Sequence, residues 1–342
     1  MIDSTTYLND YKTLKKRLDT YGYLLIRNFF SVNDASFIFT EINKALLTKK
    51  KIDPKEDPRI NSNYSKAYSL ECVHNCWHAE PIKSFFQNIF QKESFLHPRV
   101  VLRNCYKNEY TPAHQDWPQV QGSKNTLGVW VALSNIKKGG GLLEIAEKSH
   151  KLGVYKHYPD KKYGGMKVKD NNFKWISTDM KPGDAIVFSC LTVHRTEKNK
   201  FNIVRQSIDA RWQPLSERIC KDSLTPLIKK NWSDIYKNWN NKSNTWYWKK
   251  SVLIKDGFDT YYEINNAMNI MNYYKRNKSW RLAIEKIIAR TSSPILRSIC
   301  ELFNNIINYF WFNKRVISSN LNYYRIIKRL ASTHDSFHNI LI

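Results

Sequence analysis

At Arg99 the hydrophobic pattern of this chain changes period, from the helical spacing that precedes it to the two-residue alternation of strands. That change confines the middle of the molecule to β-structure. Val100–Tyr106 and Asn125–Ser134 both alternate. In the second, Leu127, Val129, Val131 and Leu133 share one face, and Thr126, Gly128, Trp130 and Ala132 share the other. One face can pack on helices while the other looks into a barrel. Gly139-Gly140-Gly141 turns the chain into Leu142–Ile145. In Lys181-Pro182-Gly183-Asp184, proline sets φ and glycine accepts a positive φ, so the turn launches Ala185–Phe188. With His194–Thr196 and Ile203–Trp212, the strands number about eight, enough for a double-sheet jelly roll.

Helices flank this core. Residues 4–20 read as a polar helix, and Tyr23–Ile26 as a short strand. Ser31, with Asp34 three residues on, caps a helix expected to bury Phe37, Ile38, Ile42, Ala45 and Leu46. A charged loop covers 48–63, another helix 79–91, and a variable insertion 147–172. Residues 213–250 are Trp-rich and irregular; Trp232, Trp239, Trp246 and Trp248 are expected to bury against the barrel. Helical patterning returns over 258–331, where Ile295, Ile299, Phe303, Ile306 and Phe310 form a stripe beside Lys and Arg. The expected organisation is therefore a domain over 1–250 and a basic amphipathic helical extension over 251–342. The extension could pack on the core, meet a protein partner or lie on an anionic membrane surface.

The net charge of +25 invites a nucleic-acid reading. Its distribution argues against one: residues 251–342 carry +7, about their share by length, and no dense basic arm stands out. The six cysteines are scattered and form no Cys-x-x-Cys, so reduced thiols in a cytoplasmic protein are expected. Cys72 and Cys76 stand beside His74 and His78, but the paired spacing of a zinc site is missing. The N-terminus lacks the basic and apolar regions of a signal peptide, and no run of about 18 apolar residues could span a bilayer.

Against that scaffold stand His114-Gln115-Asp116 and, eighty residues after His114, His194. Two histidines and one carboxylate are the ligand set that holds non-haem Fe(II) on one face and leaves the other open. Each ligand lies where a strand leaves the sheet. Arg205, eleven residues beyond His194, could grip a dicarboxylate through two parallel hydrogen bonds.

These residues, with Val129–Leu133, Ser149-His150, Pro182–Asp184, His194–Thr196 and Arg205–Trp212, resemble the phytanoyl-CoA dioxygenase family of Fe(II)/2-oxoglutarate-dependent oxygenases. Gly22–Phe30 looks like that family's opening strand. The resemblance covers about residues 20–215. It implies a double-stranded β-helix (cupin-like jelly roll), with Fe(II) on His114, Asp116 and His194 and 2-oxoglutarate anchored by Arg205. By the same likeness Thr196 shares the distal carboxylate, and Trp130 and Asn104 line the co-substrate pocket. Dioxygen is the third reactant, and a small organic molecule or conjugated metabolite would be hydroxylated with release of succinate and CO2. The retained Asp116 favours hydroxylation over the halogenation seen where a small residue stands there. Arg211 invites comparison with the Arg-x5-Arg of nucleic-acid demethylases, but the eleven-residue spacing before Arg205 does not match. A catalytically silent binding protein of this fold and a nucleic-acid-modifying oxygenase are the alternatives.

Overall fold

The computed structural model describes residues 1–46, 62–120, 122–160, 166–169 and 172–251. All of them belong to one compact unit, Met1–Gly257. The expected helical extension over 251–342 lies outside the described residues beyond Ser251, as does most of the expected loop at 48–63.

In chain order, α1 (Tyr11–Tyr21) leads into β1 (Tyr23–Ile26) and α2 (Val32–Leu46). Then come α3 (Ser62–Tyr68), α4 (Glu71–Asn75), α5 (Glu80–Phe90), β2 (Ser94–Leu96) and β3 (Val101–Cys105). A short α6 (Trp117–Val120) precedes β4 (Leu127–Ala132) and β5 (Leu143–Ala146). The insertion forms a hairpin of β6 (His157–Pro159) and β7 (Met166–Val168). Last come β8 (Trp175–Ile176), β9 (Ala185–Ser189), β10 (His194–Thr196), β11 (Arg205–Pro214), α7 (Trp232–Tyr236) and α8 (Trp248–Ser251).

The larger sheet is antiparallel, in the order β1-β9-β4-β11-β2, with β3 also paired to β11; the smaller is β10-β5-β8. The protein is thus mainly antiparallel sheet with flanking helices. Strand alternation sorts its residues as expected. Leu127, Val129 and Val131 join the core shared with the helices, where Trp212 of β11 stacks on Phe86 of α5 at 4.7 Å. Trp130 and Ala132 turn the other way. They meet Ile186 and Phe188 of their own sheet and Leu143 and Ile145 of the smaller one. A one-residue slip would exchange the two faces, so burial on both sides pins the register.

The turn before β9 follows its chemistry. Gly183 has φ +89°, and a Cβ there would lie 2.2 Å from the Phe30 carbonyl oxygen. Asp184 accepts from the Lys181 and Asn28 amides and pairs with Arg27 at 2.7 Å, tying β9 to the end of β1.

Several expectations are corrected. The first α-helix starts at Tyr11 rather than near residue 4, because Asp10 caps it by accepting from the Thr13 amide. Ser31 and Asp34 cap α2 as read, but Phe37 is 58% exposed. The buried stripe there runs through Ala35, Ile38 and Ile42, leaving Phe37 on the far side. The Trp-rich segment is partly helical, and Trp232, Trp239 and Trp248 bury in the helix-side core as expected. His74 belongs to the same core: its Nε2–H donates to the Tyr68 carbonyl at 2.8 Å, and it packs on Trp232 and Trp239.

Burial holds the His74 imidazole neutral, its pKa lowered to about 4. The unfolded chain takes up that proton near pH 6.5, so the stability this group contributes is present above that pH and lost as pH falls towards 4. Between pH 7 and pH 5 the loss from this one group is about 2 kcal/mol. Urea unfolding of the His74→Gln variant at the two pH values should show a drop smaller by about that amount than the unaltered protein shows.

Candidate metal centre and its cavity

His114 and His194 lie directly opposite one another. Each donates its backbone amide to the other's carbonyl at 2.9 Å, an isolated bridge that joins the loop after β3 to the start of β10. The rings follow, with centroids 4.2 Å apart. Nδ1–H of His114 donates to the Pro112 carbonyl at 2.8 Å, and Nδ1–H of His194 to the Thr192 carbonyl at 3.0 Å. These bonds assign the tautomer and leave both Nε2 lone pairs facing inward. Each Nε2 is 3.8 Å from Asp116 Oδ1. The three donor atoms lie within 4.8 Å of one another, and all three side chains are buried. It is the one such His/Cys/Asp/Glu cluster among the described residues.

The remaining carboxylate oxygen is occupied. Arg211, on the cavity face of β11, donates Nε–H to Asp116 Oδ2 at 3.0 Å. Burial raises the Asp116 carboxyl, but the Arg211 guanidinium outweighs it and holds the group well below the ordinary carboxylate value. Burial likewise lowers both histidines, so they are neutral donors near pH 7. A buried, preoriented N2O set of two neutral imidazoles and one ionised carboxylate with a free oxygen fits a divalent transition metal. Gly128 of β4 keeps the space clear: a Cβ there would sit 2.9 Å from the Phe188 ring and 3.5 Å from Asp116 Oδ2.

The donors open into a cavity also lined by Trp130, Thr196, Phe188, Leu143, Arg103 and Asp209. Thr196 Oγ1 accepts from the Thr111 amide at 2.7 Å. Arg205 begins β11 on the same inward face but is not among the lining residues. It is 4% exposed, with its guanidinium carbon 5.7 Å from the Trp130 ring centroid. Its Nη1 donates to Ser207 Oγ at 2.9 Å, while Nε finds no acceptor. No carboxylate pairs with it among the described residues. A desolvated guanidinium without a counter-ion is costly. An anionic ligand entering beside Trp130 would supply the missing charge.

Asn104 is the one nominated residue that the fold places elsewhere. On β3 it alternates with Arg103 and Cys105 and shares the helix-side face with Leu102, where its side-chain oxygen accepts from Gln206 at 3.1 Å. The strand period excludes it from a pocket that Arg103 lines.

Three contributors escaped the sequence reading. Gln115, between the first two donors, is wholly buried. It donates to the Gly153 and Leu191 carbonyls and accepts from the Tyr155 amide, stitching the insertion to the donor loop. Arg103 and Asp209 form an ion pair facing the cavity across β3 and β11. The available signal was the polar alternation Arg205, Ser207, Asp209, Arg211 within a strand otherwise carrying Ile208, Ala210 and Trp212.

The sequence model of phytanoyl-CoA dioxygenase (PhyH) matches residues 18–207, more than half of the chain. The chain belongs to the phytanoyl-CoA dioxygenase family. Among its relatives in this sequence class are two 1-deoxypentalenic acid 11-beta-hydroxylases, from Streptomyces exfoliatus and Streptomyces arenae. Each is 22% identical over 251 residues, covering 66% of this chain and 89% and 88% of theirs. Among solved structures, the epimerase SnoN in complex with Fe3+, alpha ketoglutarate and nogalamycin RO aligns over 61% of this chain and 85% of its own. That alignment has a TM-score of 0.50 at 15% identity, a likeness of fold. With this donor set the protein should bind Co(II) as a stand-in for iron, and Arg211→Met should weaken the site by about 10- to 100-fold. Titration of the cobalt d–d bands in both proteins measures the difference.

Proposed function

We propose that this chain is a non-haem iron, 2-oxoglutarate-dependent dioxygenase that hydroxylates a small organic molecule. The observation that carries this reading is the buried His114–Asp116–His194 donor set, with both imidazole tautomers fixed from behind. We read the paired sheets as a double-stranded β-helix and assign the reaction to residues 1–250. The hydroxylase names of the two Streptomyces relatives support a small organic substrate.

His114 and His194 would hold the iron through Nε2, and Asp116 through Oδ1. Bound iron, 2-oxoglutarate and dioxygen together supply the oxidation, ending in succinate, CO2 and a hydroxylated product. The chain's own part is to bind, orient and exclude water. Arg205 would take the distal carboxylate of 2-oxoglutarate, satisfying its Nε and its unmatched charge. Thr196, whose oxygen already accepts from Thr111, would donate its hydroxyl proton to the same carboxylate. Trp130 would wall the co-substrate site from the other side. Asp116, held by Arg211, stays ionised through the neutral range. Among the described residues no helix is long and apolar enough to cross a membrane.

Protein supplied with ferrous iron, 2-oxoglutarate and ascorbate, and no prime substrate, should release succinate slowly, and a chelator should abolish the release. Arg205→Lys should raise the 2-oxoglutarate concentration giving half-maximal rate by about tenfold or more, since an ammonium cannot make the paired contact. Iron-loaded protein that releases no succinate would instead be a binding protein of the same fold.

A further inference from the structure

Among the described residues two buried polar atoms of the cavity-lining side chains have no hydrogen-bond partner: Trp130 Nε1, on the co-substrate side, and Asp209 Oδ1, which neither the metal donors nor the co-substrate residues account for. Asp209 lies on β11 between Ser207 and Arg211 on the inward face, opposite Trp130 of β4. Arg103 Nε–H donates to its Oδ2. Oδ1 is shielded from solvent and has no hydrogen-bond partner. A buried acceptor left without a donor is costly to the fold. Such an atom beside a reaction cavity is explained if a ligand completes it. A carboxylate oxygen only accepts, so the ligand must bring an O–H or N–H.

Charge distinguishes the two. Arg103 and Arg211 line the cavity with Asp116 and Asp209, Arg205 is buried beside the Trp130 ring with no carboxylate partner among the described residues, and Arg195 is matched by Glu144. The charges on the wall cancel, so the positive charge of about one comes from Arg205 behind Trp130, and a divalent metal with a dianionic co-substrate leaves that unchanged. A cationic amine meets net repulsion there, whereas a hydroxyl does not. Leu143, Phe188 and the Trp130 ring give the wall its apolar part. Resting on the oxygenase reading above, we infer that the prime substrate is an alcohol with an apolar skeleton, neutral or anionic, whose hydroxyl donates to Asp209 Oδ1. Asp209 thus sets specificity and Arg103 positions it.

Binding measures this directly. The protein, loaded with Zn(II) and 2-oxoglutarate, is titrated by ligand-observed NMR with cyclohexanol, menthol and borneol, each beside its methyl ether and its primary-amine counterpart. The alcohols should bind about tenfold more tightly than their ethers, and the amines no better than the ethers. In Asp209→Leu the alcohol-to-ether ratio should fall to about one, and in Asp209→Asn, which keeps an acceptor, it should survive in part. Equal binding of ethers and alcohols, preference for amines, absence of alcohol binding, or a ratio that persists in Asp209→Leu overturns the inference. Succinate release by the iron-loaded unaltered protein separates the two failures. If it releases succinate yet shows no ratio, the alcohol assignment alone is wrong; if it releases none and holds no 2-oxoglutarate, the oxygenase reading falls and takes this inference with it.

Discussion

Two reciprocal backbone hydrogen bonds, His114 to His194 and back, hold the site together. Side-chain positions on flexible loops would scatter, but a backbone bridge fixes both Cα atoms and the direction of both Cβ bonds. Carbonyls two residues earlier on each segment then lock each ring by its Nδ1–H. A protein built this way meets the metal with donors already aimed, so binding need not order them.

The carboxylate is controlled differently, by charge. Asp116 divides its two oxygens between Arg211 and the imidazole pair. An isolated charge at this depth would be neutralised by its own desolvation; the guanidinium prevents that and leaves a single oxygen for the metal. β11 therefore serves both sides of the sheet. Its Ile208, Ala210 and Trp212 hold the helices, while Arg205, Ser207, Asp209 and Arg211 line up along the chemistry. Packing on one face pins the register that the other face depends on.

Much of this was legible in the chain alone. The face assignment of Leu127–Leu133 came from the period of two, and the turn at Pro182-Gly183 came from the φ values those residues accept. The donor triplet was legible because its residue types suit one metal chemistry, although only His194 stands at a strand end and the other two lie in the loop before α6. Asn104 lies off the cavity, against what the family likeness implies, because the strand period sets it on the same face as Leu102. Phe37 was misjudged because the apolar stripe of α2 is wide enough to accept two phases.

The sequence by itself determined the secondary-structure rhythm and the donor residue types, since these depend on local stereochemistry and on residue identity. Only the tertiary structure decided which charges meet. Arg211 pairs with Asp116, 95 residues away, and Arg103 with Asp209, 106 residues away. Arg103 meets Asp209 because β3 lies beside β11, and Arg211 meets Asp116 because the donor loop before α6 comes over the inward face of β11; both are properties of the assembled core that no local pattern encodes.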